Sequence, residues 1–211
     1  MQRIIVLEEE IQTYKIQLEN LGDRILPNLI ETGNNQPIRH YTHARVVVNR
    51  ISEINNYILL DKGSNHGITE DMAVISVKGI VGVVMMVTPH FSRIIPVINP
   101  GYHPSCMIKN TRLSGSLFWD GKDPRYVSLN GLPSHASSTV GDTIVTSGYS
   151  ETFPEGVPVG IVVEAVKQKN EEYNSLKVRL FTDFSTLSEV FIIQYPLWEE
   201  QKKIEKGVNE E

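Results

Sequence analysis

The sequence predicts a mainly β protein: two small six-stranded β-barrels preceded by an N-terminal coiled-coil helix. Three observations predict it. About twelve short runs rich in β-branched residues lie between Ala44 and Gln194, separated by turns of Gly, Pro, Asn and Asp. No helical pattern is interleaved with them, which argues for barrels or sandwiches rather than a parallel sheet. Ahead of them, from Ile4 to Ile25, apolar residues recur at alternating intervals of three and four.

The front segment, residues 1–27, carries Ile4, Leu7, Ile11, Tyr14, Leu18, Leu21 and Ile25 in an unbroken heptad series, the a/d seam of a coiled coil. Isoleucine at a with mostly leucine at d favours two strands, so the seam predicts a parallel homodimer. Glu10 falls at a g position and Lys15 at the following e, where they would pair across the seam for about 0–1 kcal/mol. The competing reading is an amphipathic helix packed on its own domain. Against it stands the narrowness of the stripe, because a globular helix shows a wider apolar face. Gly22 weakens the last turn and Pro27 stops the helix. The rod would be about 37 Å long at ~1.5 Å per residue.

Residues 28–43 read as a linker, since TGNNQPIRHY from Thr32 to Tyr41 is polar and holds Gly, Pro and two Asn. The first barrel is assigned to 44–101, with strands at Ala44–Arg50, Tyr57–Lys62, Met72–Val77, Ile80–Thr88 and Arg93–Ile98. Lys78-Gly79 is the expected two-residue hairpin turn. The run from Asn99 to Pro104 breaks the pattern and marks the boundary. The second barrel is assigned to 102–196, with strands at Ser105–Lys109, Gly115–Trp119, Tyr126–Asn130, Thr143–Thr146, Val157–Val166, Tyr173–Thr182 and Ser188–Gln194. The first barrel is left to borrow a C-terminal strand. Leu176-Lys177-Val178-Arg179-Leu180 alternates cleanly between one face and the other. Pro158 lies at a strand start, where a missing donor is tolerated, and Gly160 predicts a bend or bulge of the kind barrel closure needs. The tail, 197–211, is charged and expected to be flexible.

Composition narrows the function. A net charge of −5 without a Lys/Arg cluster argues against a general nucleic-acid binder. The single cysteine, Cys106, forms no intramolecular disulfide. No apolar run approaches the ~20 residues of a membrane span, and Glu8, Glu9 and Glu10 interrupt any signal-like apolar region.

Chemistry-bearing residues are present but do not assemble into a motif. Ser147 precedes Gly148 in a turn, yet Val145 stands where the first glycine of a Gly-x-Ser-x-Gly elbow belongs. A turn hydroxyl explains it better than a nucleophile. His40/His43 and His103/Cys106 have half-site spacing for zinc, but the pairs would have to meet from different parts of the chain. Asp61–Gly67 fails as a calcium loop, with His66 at the glycine position and Met72 at the carboxylate position. No phosphate-cradling glycine loop occurs. The expectation is a chain that is not an enzyme and holds no metal or cofactor. What remains is binding: Phe118, Trp119 and Tyr126 surround the polar turn DGKDPR, and aromatics so placed anchor interfaces. Alternatively, alternate members of the set point into the barrel.

Two strings carry a resemblance. The run VGDTIVTSGYSETFPEGVPVGIV, with its Gly-Asp, Thr-Ser-Gly, Pro-x-Gly and Pro-Val-Gly steps, and the upstream LLDKGSNHGITEDMAVISVKGIVGVV, with Arg112 and Gly115 between them, resemble the bacterial rod shape-determining MreC family from about Ala44 to Ile193. That resemblance implies two small barrels side by side, loosely like the halves of a chymotrypsin-type protease without its activity. It implies a periplasmic scaffold of the cell-wall elongation machinery. Its partners would be the elongation-specific penicillin-binding transpeptidase, the membrane protein MreD and the MreB filament system. Separately, unpaired edge strands of the barrels would add self-association into filaments, since a bare edge is a template for another chain. The resemblance also implies a membrane helix ahead of the coiled coil, so the sequence is expected to begin just after that helix, with Met1 as an added start. The alternatives are a chymotrypsin-like serine hydrolase, and a periplasmic adaptor of an export or efflux system, which would need a two-helix hairpin rather than one heptad stretch.

Overall fold

The computed structural model describes residues 40–51, 55–133, 138–149, 152–166 and 173–194. The expected coiled coil with its seam from Ile4 to Ile25, most of the linker, and the tail after residue 196 lie outside the described residues.

Twelve strands run in the order β1 (His40–Arg50), β2 (Tyr57–Leu60), β3 (Ala73–Ser76), β4 (Gly79–Val87), β5 (Ser92–Pro96), β6 (Ser105–Ile108), β7 (Ser114–Phe118), β8 (Tyr126–Pro133), β9 (Thr143–Thr146), β10 (Pro158–Val166), β11 (Tyr173–Leu180) and β12 (Glu189–Gln194). They close into two six-stranded barrels, β1-β12-β3-β4-β5-β2 and β10-β11-β8-β7-β6-β9. Closure leaves neither sheet with an open edge, so the strand-edge route to filaments expected from the sequence has no template among the described strands.

The strand that the first barrel takes from the far end of the chain is β12, which lies between β1 and β3. The 102–196 span therefore holds the second barrel and one strand of the first. The linker is corrected at its end. Residues 40–43 belong to β1, because His40–Arg45 pair with Gln194–Glu189 through the main chain, which is indifferent to how polar the side chains are. The β3–β4 hairpin is shifted by one residue: Val77-Lys78 is the loop, and Gly79 pairs with Ser76. Ser76 Oγ accepts from the Lys78 and Gly79 amides, both at 3.2 Å, and so fixes that turn.

Alternation builds the cores. In β11, Leu176, Val178 and Leu180 are buried while Lys177 and Arg179 are exposed. The expected bulge at Gly160 is present as a register shift between Pro158 and Gly160. A second shift lies between Val162 and Glu164.

Buried residues of both barrels form a single apolar cluster. Where the barrels meet, the β3–β4 hairpin presses on the start of β10. A Cβ at Gly79 would stand 2.3 Å from the Pro158 carbonyl oxygen, so the close approach requires glycine there. The 181–188 connector crosses the same joint. Thr182 Oγ1 donates to the Ile80 carbonyl at 2.8 Å and lies 3.2 Å from Ser76 Oγ, and Asn49 Nδ2 donates to the Phe184 carbonyl at 2.7 Å.

Candidate interaction site

The β7–β8 loop is organised by two aspartates. Asp120 Oδ1 accepts from the Lys122 amide at 3.1 Å, and Asp123 Oδ1 accepts from the Arg125 amide at 3.0 Å. Such Asx turns give a short polar loop its shape. Arg125 also grips Asp123 with its guanidinium, Nε to Oδ1 at 2.9 Å and Nη2 to Oδ2 at 2.7 Å. The Arg125 side-chain and backbone hydrogen bonds hold the Asp123 carboxyl down at about 2.

This frame sorts the three aromatics. Trp119 is 1% exposed and donates its indole N–H to the Asp123 carbonyl at 3.0 Å. It is core, and presents nothing to a partner. Phe118 is 36% exposed and stacks on His103 with ring centroids 5.4 Å apart. Tyr126 is half-buried, with Lys177 Nζ 5.1 Å and Arg125 Cζ 5.7 Å from its ring centre. Strand register explains the split. Phe118 pairs with Ser128, Ser128 with Lys177, and Tyr126 with Arg179. Phe118, Tyr126, Lys177 and Arg179 consequently share one outward face of β7-β8-β11, while Trp119 follows Phe118 to the other side.

Beside this face, a groove of about 610 Å³ runs between the β7–β8 loop and the connector, lined by Lys122–Arg125 and by Arg179–Ser185. Phe181 is 38% exposed at its wall, Phe184 is buried behind it, and Thr182 ties that wall to the first barrel. The sequence reading did not single out Lys177, Arg179 or Phe181. The alternation in β11 already put both cations on the solvent side; what the sequence lacked was the register that sets them beside Tyr126.

The remaining candidates are dispersed. Ser147 is 2% exposed, donates to Ser105 Oγ at 2.7 Å and accepts from the Tyr149 amide at 3.2 Å. Gly148, with φ of 74°, takes the left-handed conformation that completes that turn. His43 Nε2 lies 3.7 Å from Glu189 on the neighbouring strand, whereas His103 is stacked on Phe118 in the second barrel. Cys106 is fully buried, and burial pushes its thiol up. Among the described residues, no group of three or more His, Cys, Asp or Glu is placed to hold a metal ion. The loop at Asp61–Gly67 is a short turn with a 3₁₀ segment over Ser64–His66 and Gly67 left-handed at its end.

Two closed six-stranded barrels that share one apolar cluster, with aromatic and cationic side chains displayed on an outer face, define a double-barrel β protein. The family model described as "Rod shape-determining protein MreC, barrel core" matches residues 46–194. The chain belongs to the MreC family. It is 30% identical over 139 residues to the cell shape-determining protein MreC of Escherichia coli, covering 64% of this chain and 38% of that protein. The chain thus spans well under half of that relative's length. Its fold is similar to the crystal structure of MreC from Pseudomonas aeruginosa, with a TM-score of 0.69 at 20% identity over 73% of this chain and 99% of that one. It is also similar to MreC in a complex with the penicillin-binding protein PBP2 from Helicobacter pylori, with a TM-score of 0.61 at 18% identity over 75% and 99% of the two chains. Among the described residues, no helix is long and apolar enough to cross a membrane.

Proposed function

We propose that the chain is a non-catalytic scaffold of the cell-wall elongation complex. In this reading it maintains rod shape from the periplasmic side of the inner membrane by holding peptidoglycan-synthesis proteins together. The observation that carries the reading is the family match over residues 46–194, nearly all of the double barrel. The elongation-specific penicillin-binding transpeptidase is the partner, engaged through Phe118, Tyr126 and the cations beside them. MreD and the MreB machinery complete the assembly. The seam from Ile4 to Ile25 pairs two copies, and a membrane helix ahead of it tethers them. Ser147 supports the absence of hydrolysis, because its hydroxyl faces Ser105 and a backbone amide rather than a histidine.

The test is direct binding. The purified chain is titrated against the periplasmic part of its own bacterium's elongation transpeptidase by biolayer interferometry, and saturable binding is expected. Absence of binding at tens of micromolar, or labelling of Ser147 by a fluorophosphonate probe, would sink the proposal.

A further inference from the structure

A second surface lies on the first barrel, away from the aromatic loop. Strand register builds it: Val48 pairs with Leu59, Leu59 with Arg93, and Arg93 with Met86, one row across β1, β2, β5 and β4. Their inward neighbours Ile58, Ile94 and Val84 are fully buried, so this row faces out. Two bulges on these strands enlarge it. The register shift between Val46 and Val48 frees Val47, and the shift between Val84 and Met86 frees Met85. Val47, Met85 and Met86 are each half exposed, at 50%, 50% and 51%, and Phe91 at the β4–β5 turn is 44% exposed. A bulge re-aims a side chain at a cost in pairing, and here two of them aim hydrophobic residues at solvent.

Among the described residues, the row carries one charge, Arg93, with Arg50 on its flank, and the Asp61 carboxylate two residues past Leu59 is taken up by Arg45. Arg93 and Arg50 stack on the Tyr57 ring, at 4.5 and 5.6 Å from its centre, and neither makes an ion pair among the described residues. On a chain of net charge −5, this is a locally basic, apolar face. The closed barrel offers no strand edge, so a partner cannot add a strand; it must pack by side chains. The row spans three inter-strand spacings, about 14 Å, enough for a helix about 10 Å across. Methionines re-pack around an incoming apolar stripe, as helix-binding surfaces require. A second copy docked on the same face by two-fold symmetry would bring two like-charged faces together.

We propose that the β1-β2-β5-β4 face docks an amphipathic helix of a partner protein whose apolar stripe is flanked by carboxylates. The stripe packs on Val47, Val48, Leu59, Met85 and Met86, and the carboxylates reach Arg50 and Arg93. This deepens the scaffold reading by adding a second docking surface, and rests on it only in expecting a protein partner.

The test uses the full chain and two fluorescein-labelled 18-residue helical peptides, identical in their leucine stripe and flanked by glutamate or by lysine. Fluorescence anisotropy is expected to give binding of the glutamate peptide at least tenfold tighter than the lysine peptide. Arg93→Glu is expected to reverse that preference, and Met86→Glu to weaken the glutamate peptide at least tenfold, while both variants keep the parent melting temperature and transpeptidase binding. Equal affinity for the two peptides, or no effect of either variant, overturns the inference. So does concentration-dependent self-association in sedimentation that Met86→Glu abolishes, since the occupant is then a second copy. Loss of transpeptidase binding by the parent chain with the peptide results intact would instead strike the scaffold reading alone.

Discussion

At the scale of residues, neighbours in sequence have opposite fates. Trp119 fills the second barrel and Phe118 faces water, and truncating each should read out differently. Trp119→Ala is expected to cost about 3–5 kcal/mol of stability in urea denaturation. Phe118→Ala and Tyr126→Ala should leave the melting temperature within a few degrees, yet weaken transpeptidase binding about tenfold each. Gly79→Ala should destabilise by ~2 kcal/mol or more, because its Cβ would stand 2.3 Å from Pro158 oxygen. Asp123 makes a pH prediction. Its carboxyl titrates at about 2 in the fold against 3.8 ordinarily, so its contribution is present above pH ~4 and lost as pH falls through that window. Asp123→Asn should flatten the stability profile between pH 4 and 2, followed by chemical denaturation; an unchanged slope there contradicts the Arg125 clamp. The aromatic cluster was legible in the sequence as a set. Which members face out was not, because that depends on where β7 ends, and a strand's last residue is invisible to periodicity.

At the scale of elements, the strands were easier to read than their ends. Alternation and glycine turns gave nearly every run from β1 to β12, and Gly160 announced its bulge. The extension of β1 to His40 escaped, since polar His40, Thr42 and His43 are recruited by main-chain pairing with β12. The hairpin slipped by one residue because Gly79 is needed for the approach of Pro158, a contact between distant segments rather than a local turn preference. The heptad seam yields an element-scale prediction. Analytical ultracentrifugation of the intact chain should show a dimer, and of a chain starting at Gln36 a monomer. Two monomers would remove the coiled coil from the proposal.

At the scale of the whole molecule, the joint at Ser76, Thr182 and Asn49 ties the 181–188 connector to the first barrel, and the two barrels share one apolar cluster. That suits a scaffold: two modest contacts held in register make the second intramolecular once the first has formed. The closing strand carries a further consequence, for synthesis. Because β12 is the last of the described strands to leave the ribosome, the second barrel can finish while the first still waits, its β1 and β3 bare along the sides that β12 will cover. Until Glu189–Gln194 emerge, the nascent protein offers two sticky flanks to any passing chain, and a message cut short ahead of Glu189 would leave that liability permanent.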